Sequence, residues 1–284
     1  MASLFVAAIV VSHAQAENLN RVLESIGNQD HPVSQVVVVE TGGEEQSPEA
    51  AKRFGFSSVM APDARLGAAI QAGIDSLAQQ PGWLWILHDD SFPEPAALTH
   101  LARAAEISPS VAIIGPKLLD AQNPIRIQQL GLTVTKTGRP FLQVQNEYDQ
   151  GQFDSSGDSF AVSTAGMLIS LYAWQKLGGL NDRTPPLAQD LELGAKARAA
   201  GFRVIVEPSA KVMHLQLSAA GKRDRKWLGG SLAQAVSKAH LHMATLLAPA
   251  PLVLLGYLLL PLIFLASIPF LLLAKRPGRI FGQK

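Results

Sequence analysis

Apolar runs alternate with segments of helical spacing throughout the N-terminal third of the chain. The runs at 4–11, 36–39 and 83–87 are aliphatic or aromatic throughout, as strands covered on both faces are. The predicted strands are 4–11, 36–39, 57–60 and 83–87, and the predicted helices between them are 16–26, 50–54 and 66–77. This β-α-β-α-β-α-β order predicts an α/β fold with a Rossmann-like, mostly parallel sheet flanked by helices.

The rest of the soluble region has weaker periodicity. Between 122 and 159 turn residues are common, which predicts loops and extended segments. The further predicted helices are 96–105, 173–177 and 190–200, and the further predicted strands are 111–115, 130–134 and 203–206, the last stopped by Pro208.

The balance of charge and the absence of cysteine limit the kinds of partner and metal site. The 284 residues include 24 Lys and Arg against 23 Asp and Glu, a formal net charge of +1. This balance is unlike that of a nucleic-acid-binding domain, so we expect no nucleic acid partner. Without cysteine, a metal ion must be held by oxygen or imidazole ligands, which suits Mg²⁺ or Mn²⁺.

The strand predicted at 83–87 ends abruptly in His88, Asp89 and Asp90, and Pro93 follows. Open α/β sheets bind ligands at the carboxyl ends of their strands, and two adjacent acids there are suited to a divalent cation. Asp and Ser are also ordinary turn residues, so the same stretch describes a solvated turn equally well. Taken by itself, the stretch leaves both interpretations open.

Other polar residues follow predicted strands or begin a predicted helix. Ser12 follows the first strand, Glu40 the second and His214 the last, and Asp190 begins the helix at 190–200. Because parallel strands end at one edge, we expect these side chains to converge with the acids after the fourth strand. Each alone is also explained as a turn, surface or N-cap residue. At a helix N-terminus Asp190 is expected to have a lowered pKa unless dehydration offsets it.

Beyond residue 214 the composition becomes that of a membrane-proximal region. A basic cluster lies at 222–226, an amphipathic segment at 229–247 and an uncharged apolar stretch at 246–274. That stretch exceeds the roughly 20 residues of a bilayer span, and its prolines are compatible with a tilted transmembrane helix or a re-entrant hairpin. The predicted organisation is a soluble domain at 1–220, a juxtamembrane segment at 221–245, a membrane segment at 246–274 and a basic tail at 275–284.

A set of segments occurs in the order and spacing of the motifs of a known family. The segments are 7–12, 36–43, 87–91, 165–169, 177–182, 189–193 and 208–214. Together they resemble the inverting family 2 glycosyltransferases, which have a GT-A fold, over about 4–214. Three positions depart from the family pattern: Glu40 replaces an Asp, His88 replaces the first acid of Asp-x-Asp, and Gln189 replaces a Glu.

The resemblance implies a metal-dependent transfer of a hexosyl or pentosyl group from a nucleoside-diphosphate sugar. Asp190 is the implied base for the acceptor hydroxyl, and Asp90, Asp89 and His214 are the implied ligands of Mn²⁺ or Mg²⁺. The implied donor-binding residues are Ser12, Glu40, Gly67, His88, Asp89 and Arg223. The implied acceptor-binding residues are Gly166, Trp174, Asn181, Asp182 and Gln189.

The C-terminal segment extends the resemblance to large actinobacterial membrane glycosyltransferases. It implies a cell-membrane location among membrane lipids, a catalytic domain on the cytoplasmic face and a lipid-linked or cell-envelope glycan acceptor. Whether the chain is a fragment and whether it forms a homo-oligomer stay open. Because of the three departures, the alternative is a catalytically silent nucleotide-sugar-binding module that docks a membrane partner. A nucleotidyltransferase would need a Gly-rich phosphate loop, which 12–18 lacks.

Overall fold

The computed structural model describes residues 4–13, 16–42, 46–142, 144, 146–217 and 231–249, and scattered helical positions between 251 and 268. Its helices are α1 (Ala16–Gly27), α2 (Gln46–Arg53), α3 (Leu66–Asp75), α4 (Ala97–Ala105), α5 (Leu171–Leu177), α6 (Gln189–Ala199) and α7 (Leu232–Leu247). Its strands are β1 (Val6–Ser12), β2 (Gln35–Glu40), β3 (Ser57–Met60), β4 (Trp83–His88), β5 (Ser91–Pro93), β6 (Val111–Asp120), β7 (Asn123–Leu130), β8 (Thr133–Val134), β9 (Pro140–Phe141), β10 (Glu147–Tyr148), β11 (Gly157–Asp158), β12 (Leu168–Ser170) and β13 (Arg203–His214).

The N-terminal half of the sheet is parallel, as predicted. Strands β3, β2, β1 and β4 lie side by side in that order. Strand β2 can be a run of valines because the strands on both sides and the layers above and below bury it from Val36 onward. The register pairs Ser12 with Glu40 and Val11 with His88, so the polar residues that end these strands share one edge.

Helices cover both faces of the sheet, and alternate strand residues belong to two separate cores. In β1, Ile9 packs into the core that contains Ile70 of α3, whereas Val10 packs into the opposite core with Leu19 of α1. Helix α3 approaches β1 closely at Gly73, where a Cβ would lie 2.8 Å from Ile9 Cγ2. The mixed α/β architecture with helices on both faces is therefore confirmed.

Beyond β4 the sheet becomes mixed. Strand β12 pairs antiparallel with β4 and β6, and β6 pairs antiparallel with β7 and parallel with β13. The sequence predicts loops from 122 onward and a strand at 130–134, whereas the structure has a strand of eight residues, β7, and only two residues in β8. The first half of β7 is not buried, so it carries no apolar run that sequence could show.

Strand β13 is longer than predicted, and the difference places a residue of the site. The prediction ends the strand before Pro208, whereas the observed strand continues to His214. The ladder with β6 is irregular around that proline, and such an irregularity tolerates a residue that cannot donate a ladder hydrogen bond. The extension carries His214 beside Ser91 of β5.

Helix α7 packs on the domain through one face. Ser231 begins the helix with a capping box. The buried side chains of α7 are Ala235, Ala239 and Met243, which pack with Ala161, Ala188 and Leu191. The predicted amphipathic segment at 229–247 is therefore largely a helix, but Leu232 and Val236, expected on the same face as Ala239, are exposed.

The C-terminal region is described only in part. Within the described residues, no helix is both long enough and apolar enough to cross a bilayer. Most of the predicted membrane segment at 246–274 lies outside those residues, as do the basic cluster at 222–226 with Arg223 and the tail at 275–284. The predictions for these segments stay predictions.

Candidate active site

The acids at the end of β4 are buried, and one of them lies beside two histidines. Asp90 is 2% exposed, and its Oδ1 lies 3.4 Å from His214 Nε2. The rings of His88 and His214 have centroids 6.4 Å apart, edge to face. One ligand atom from each of the three residues lies within 4.8 Å of the other two. Within the described part of the chain, no other group of three such side chains is close enough to share a cation.

The segment that follows β13 holds Asp90 in place. Leu215 N–H donates to the Asp90 carbonyl oxygen and Leu217 N–H donates to Asp90 Oδ2, both at 3.1 Å. Gln216 between them has a φ of +51°, in the left-handed region, where the chain turns back over Asp90. Burial raises the pKa of Asp90, but the hydrogen bond and charge of His214, then His88 and Leu217 N–H, hold it below its usual value. Asp90 is therefore ionised near neutral pH and offers an anionic oxygen to a cation.

The donor set fits a divalent first-row cation. Carboxylate oxygen suits Mn²⁺ and Mg²⁺, whereas imidazole nitrogen suits transition metals, so two histidines and one aspartate favour a transition-metal ion over Mg²⁺. Both histidines are partly exposed, which leaves the cluster accessible. The cluster differs from the predicted ligand set in one respect: it includes His88 and not Asp89. Asp89 Oδ2 instead accepts His13 N–H at 2.7 Å.

Asp190 lies in the first turn of α6 without capping it. The helix begins at Gln189, and its N-cap is Ala188, which makes no side-chain capping bond. Asp190 Oδ2 accepts Thr164 N–H at 3.3 Å. Asp190 is partly exposed at the surface, but the segments around its carboxyl desolvate it and raise its pKa to about 7, against the smaller lowering by hydrogen bonds from Thr164. The expected effect of the helix N-terminus is thus reversed by dehydration, and the group is suited to general-base work near neutral pH.

The segment 164–166 connects the surroundings of Asp190 to those of the histidine cluster. Thr164 N–H donates to the Asp190 carboxylate, and Gly166 N–H donates to Ile86 O in β4 at 2.9 Å. Between them, Ala165 packs with Val212 of β13. Strand β4 ends at His88 and β13 ends at His214, so the segment contacts both strands that carry the histidine cluster. It also contacts Asp190, and it therefore connects the two groups at the carboxyl edge of the sheet.

Ser12 and Glu40 belong to a buried network at the ends of β1 and β2. Glu40 Oε1 accepts Gly42 N–H at 2.6 Å, and its Oε2 accepts the Ser47 hydroxyl. Ser12 Oγ lies 3.2 Å from Ser47 Oγ. Ser47 is not predicted from the sequence, because it lies in α2, seven residues beyond the end of β2. The donor-binding roles of Ser12 and Glu40 stay predictions.

Asp182 caps α3 from a distant part of the chain. Its carboxylate oxygens accept the N–H groups of Gly67 and Ala68 at 2.9 and 2.8 Å, and Gln189 Nε2 donates to the same carboxylate at 3.3 Å. The N-cap residue of α3, Arg65, makes no side-chain capping bond, so Asp182 takes that part. A Cβ at position 67 would lie 2.9 Å from Asp182 Oδ1. The predicted donor residue Gly67 and the predicted acceptor residues Asp182 and Gln189 therefore meet in one contact.

The other predicted acceptor residues differ in accessibility. Trp174 is 2% exposed and donates from Nε1 to Gln71 Oε1 at 3.1 Å, so its ring packs beneath the surface here, and its acceptor-binding role stays a prediction. Gly166 has a φ of +123°, and a Cβ there would lie 2.8 Å from Pro116 Cγ. Asn181 is exposed, and its Oδ1 accepts Arg183 N–H at 3.0 Å. Of the three, Asn181 alone presents a side chain to solvent.

Two solved structures have a similar fold. GalNAc-T7 with UDP, GalNAc and Mn²⁺ aligns with a TM-score of 0.58 at 15% identity; the alignment covers 74% of this chain, which spans only 43% of that one. The mannosyltransferase PcManGT from Pyrobaculum calidifontis, in complex with GDP-Man and Mn²⁺, aligns with a TM-score of 0.51 at 16% identity over 98% of this chain and 85% of that one.

Sequence comparison agrees with the fold. An N-acetylglucosaminyl-diphospho-decaprenol L-rhamnosyltransferase of Mycobacterium tuberculosis is 24% identical over 237 residues, which are 75% of this chain and 77% of that protein. Residues 3–230 match the model of the family described as glycosyltransferase like family 2. Four-fifths of the chain thus lie within one family model, and the chain belongs to glycosyltransferase family 2, with a GT-A fold.

Proposed function

We propose that this chain is a metal-dependent, inverting glycosyltransferase that moves a sugar from a nucleoside-diphosphate donor to an acceptor hydroxyl. One observation carries the proposal: the carboxylate of Asp190 and the strands that bear the His88–Asp90–His214 cluster contact the same short segment, 164–166. The surroundings of the two carboxyls also lower the pKa of Asp90 and raise that of Asp190 to about 7. Environments that separate two carboxyl pKa values in this way assign the groups different tasks. Family membership supports the reaction class.

The His88–Asp90–His214 cluster is the proposed cation site. These residues would hold a divalent cation, which would supply positive charge next to the β-phosphate oxygen, where negative charge develops as the donor bond breaks. Asp90 supplies the ionised oxygen ligand, and the two histidines supply nitrogen ligands. Both similar structures are described with Mn²⁺, which is among the transition-metal ions that such a donor set can hold.

Asp190 is the proposed catalytic base. Its carboxylate takes the proton from the acceptor hydroxyl while that oxygen forms a bond to the anomeric carbon. The bond between the anomeric carbon and the diphosphate breaks on the opposite face, so the configuration inverts. Thr164 N–H orients the carboxylate, and burial keeps its pKa high enough to hold the proton that it receives.

A lipid-linked acceptor at the membrane is the proposed substrate. The rhamnosyltransferase relative is named for a polyprenyl-diphosphate acceptor, decaprenol carrying N-acetylglucosamine. Exposed helical leucines line the described positions after α7, namely Leu255, Leu258, Leu259, Leu262 and Leu265. Together with the basic cluster at 222–226 they would hold the domain against an anionic leaflet on the cytoplasmic face. Flotation of the chain with anionic but not with neutral vesicles is the expected result, and no flotation with either would contradict it.

The test of the proposed function is a transfer assay with a structural readout. Purified chain is incubated with UDP-, GDP- and dTDP-sugars, Mn²⁺ and lipid-linked or soluble glycan acceptors, and the anomeric configuration of the product is read by proton NMR. We expect an inverted linkage that disappears in Asp90→Asn and Asp190→Asn. Asp158→Asn, at an exposed aspartate paired with Arg203, is the matched control. Retention of configuration, or equal transfer by all three variants, would overturn the proposal.

A catalytically silent nucleotide-sugar-binding module remains the second candidate. The observation in its favour is that the carboxylate of Glu40, at a predicted donor position, is fully buried and hydrogen-bonded to Gly42 and Ser47. Calorimetry with the same nucleotide sugars separates the two functions. Donor binding without transfer or hydrolysis, in the presence of Mn²⁺ and every acceptor tested, would favour the silent module.

A further inference from the structure

Gln128 makes a two-point contact with His214, and neither the sequence pattern nor the family resemblance marks it. Gln128 lies in β7, is 8% exposed, and its Oε1 lies 2.9 Å from His214 Nδ1. Its Nε2 donates to the His214 carbonyl oxygen at 3.2 Å. One side chain therefore contacts both the ring and the backbone of a residue 86 positions away in the chain.

These two contacts determine which ring nitrogen of His214 carries the proton. A backbone carbonyl oxygen can only accept, so it must face the NH₂ group of the carboxamide. The amide oxygen is then the atom that faces Nδ1, and an oxygen without hydrogen requires Nδ1 to be the donor. In the protonated ring, Nε2–H is the donor that lies 3.4 Å from Asp90 Oδ1. In the neutral ring with Nδ1–H, Nε2 keeps its lone pair, and a bound cation would take the place of the Nε2 proton.

We propose that Gln128 is a positioning residue for the cation site: it selects the His214 tautomer whose Nε2 lone pair faces Asp90 and His88. A histidine ligand commonly donates its other ring N–H to a fixed acceptor, which sets the ring orientation and raises ligand basicity. Gln128 provides that acceptor from β7, which lies outside the segments that carry the family resemblance. The inference rests on the proposed cation site but not on the identity of the sugar or acceptor.

A purely structural role for Gln128 makes a different prediction, and two substitutions separate the roles. Gln128→Met removes both contacts at nearly constant volume. Gln128→Glu keeps an oxygen acceptor for Nδ1–H but loses the donor to the backbone carbonyl. A positioning role therefore predicts damage in Gln128→Met and preservation in Gln128→Glu, whereas a role in holding the end of β13 predicts equal damage in both. Gln129→Met, the same change one residue along β7 at a partly exposed position, is the control.

The first measurement is ring ¹⁵N NMR of histidine-labelled, metal-free protein at a pH where the ring is neutral, with His214→Ala to assign the signal. We expect the Nδ1–H tautomer at His214 in the unsubstituted chain, in Gln128→Glu and in Gln129→Met, and loss of that preference in Gln128→Met. A predominant Nε2–H tautomer in the unsubstituted chain would overturn the proposal without any variant having to fold.

The second measurement is the affinity for Mn²⁺ alone, titrated as MnCl₂ and followed by the EPR signal of the free ion. We expect affinity to fall about 10- to 100-fold in Gln128→Met, the usual effect of removing such a support, and to stay within a few-fold in Gln128→Glu and Gln129→Met. Equal losses in the Met and Glu variants at position 128 would show a structural role.

The same measurements distinguish failure of the cation site from failure of the role of Gln128. If His214→Ala leaves Mn²⁺ affinity unchanged, the cation site itself is wrong and the inference about Gln128 falls with it. If His214→Ala abolishes binding and Gln128→Met leaves both the tautomer and the affinity unchanged, the cation site stands and only the role of Gln128 is wrong.

Discussion

Asp90 and Asp190 stand at the same edge of one sheet, yet their surroundings are opposite in character. Asp90 lies among two imidazoles and a backbone N–H, which outweigh burial and lower its pKa. Thr164 donates hydrogen bonds to Asp190, which lower its pKa, but the effect of desolvation is larger and raises the pKa to about 7. A position at a strand end or a helix start therefore does not determine whether the pKa of a carboxyl is lowered or raised. Its immediate partners decide whether it holds a charge or exchanges a proton.

The largest expected effect is on the chemical step. Asp190→Asn keeps the size of the side chain but cannot accept the acceptor proton, so we expect kcat to fall about 10²- to 10⁴-fold. Because Asp190 is not in the cation cluster, Mn²⁺ affinity should stay unchanged. Steady-state kinetics and a Mn²⁺ titration on the same sample check both halves. Loss of Mn²⁺ binding in this variant would break the separation between the two regions.

Substitution of Asp90 should have the second-largest effect, and the effect should be on Mn²⁺ affinity. Asp90→Asn removes the charged oxygen ligand from between two histidines, so Mn²⁺ should bind at least about 100-fold more weakly, beyond the usual effect of losing a supporting residue. The pKa of Asp190 should not move. Calorimetric titration with MnCl₂ measures the affinity, with Asp158→Asn as the matched control. Affinity within a few-fold of the unsubstituted chain would exclude Asp90 as a ligand.

The free energy of unfolding should depend on pH because the Asp190 carboxyl is desolvated in the folded chain. Its folded pKa of about 7 exceeds the ordinary 3.8, so the folded chain binds more protons between these pH values and loses stability as pH rises through that window. At about 1.36 kcal/mol per pKa unit, Asp190→Asn should raise the free energy of unfolding by at most about 4 kcal/mol at pH 8, with the gain vanishing near pH 4. Urea unfolding at both pH values checks the sign. A variant less stable at pH 8 would contradict it.

The smallest effect is the slope of the pH–rate profile. If Asp190 must be ionised to accept the proton, kcat should rise about tenfold per pH unit below 7 and level off above it. Asp158→Asn should reproduce the profile of the unsubstituted chain. A profile that is flat between pH 5 and 7 would mean that a group of ordinary carboxyl pKa, or no base at all, limits the rate.

How far the sequence could predict this molecule differs between the same two regions. The valine-rich run of β2 and the aromatic run of β4 need both faces covered, so apolar pattern alone reveals the parallel half and the strand end that carries Asp90. Pro208 hides the extension of β13, because sequence does not show that a ladder irregularity accommodates it. The family resemblance implies a donor-binding role for His88, whereas the structure brings its ring within reach of Asp90 and His214.

The region around Asp190 was less predictable because its properties come from contacts between distant segments. The sign of the pKa shift depends on dehydration near Thr164, 26 residues away, and a helix N-terminus alone suggests the opposite sign. Gln128 supports His214 across 86 positions from a strand without an apolar run. Asp182 caps α3 across 115 positions. Each of these contacts is specified by the assembled sheet and not by a local motif.

The central claim is that the pKa values of Asp90 and Asp190 are shifted in opposite directions. It can be measured by ¹³C NMR titration of the aspartate carboxyl carbons in the metal-free chain, with Asp190→Asn used to assign the Asp190 signal. The pKa of Asp190 should be about 7, far above its ordinary 3.8. A titration of Asp190 near 3.8 would contradict the proposed division of labour, because both carboxyls would then be ordinary anions and neither would be set up as the base.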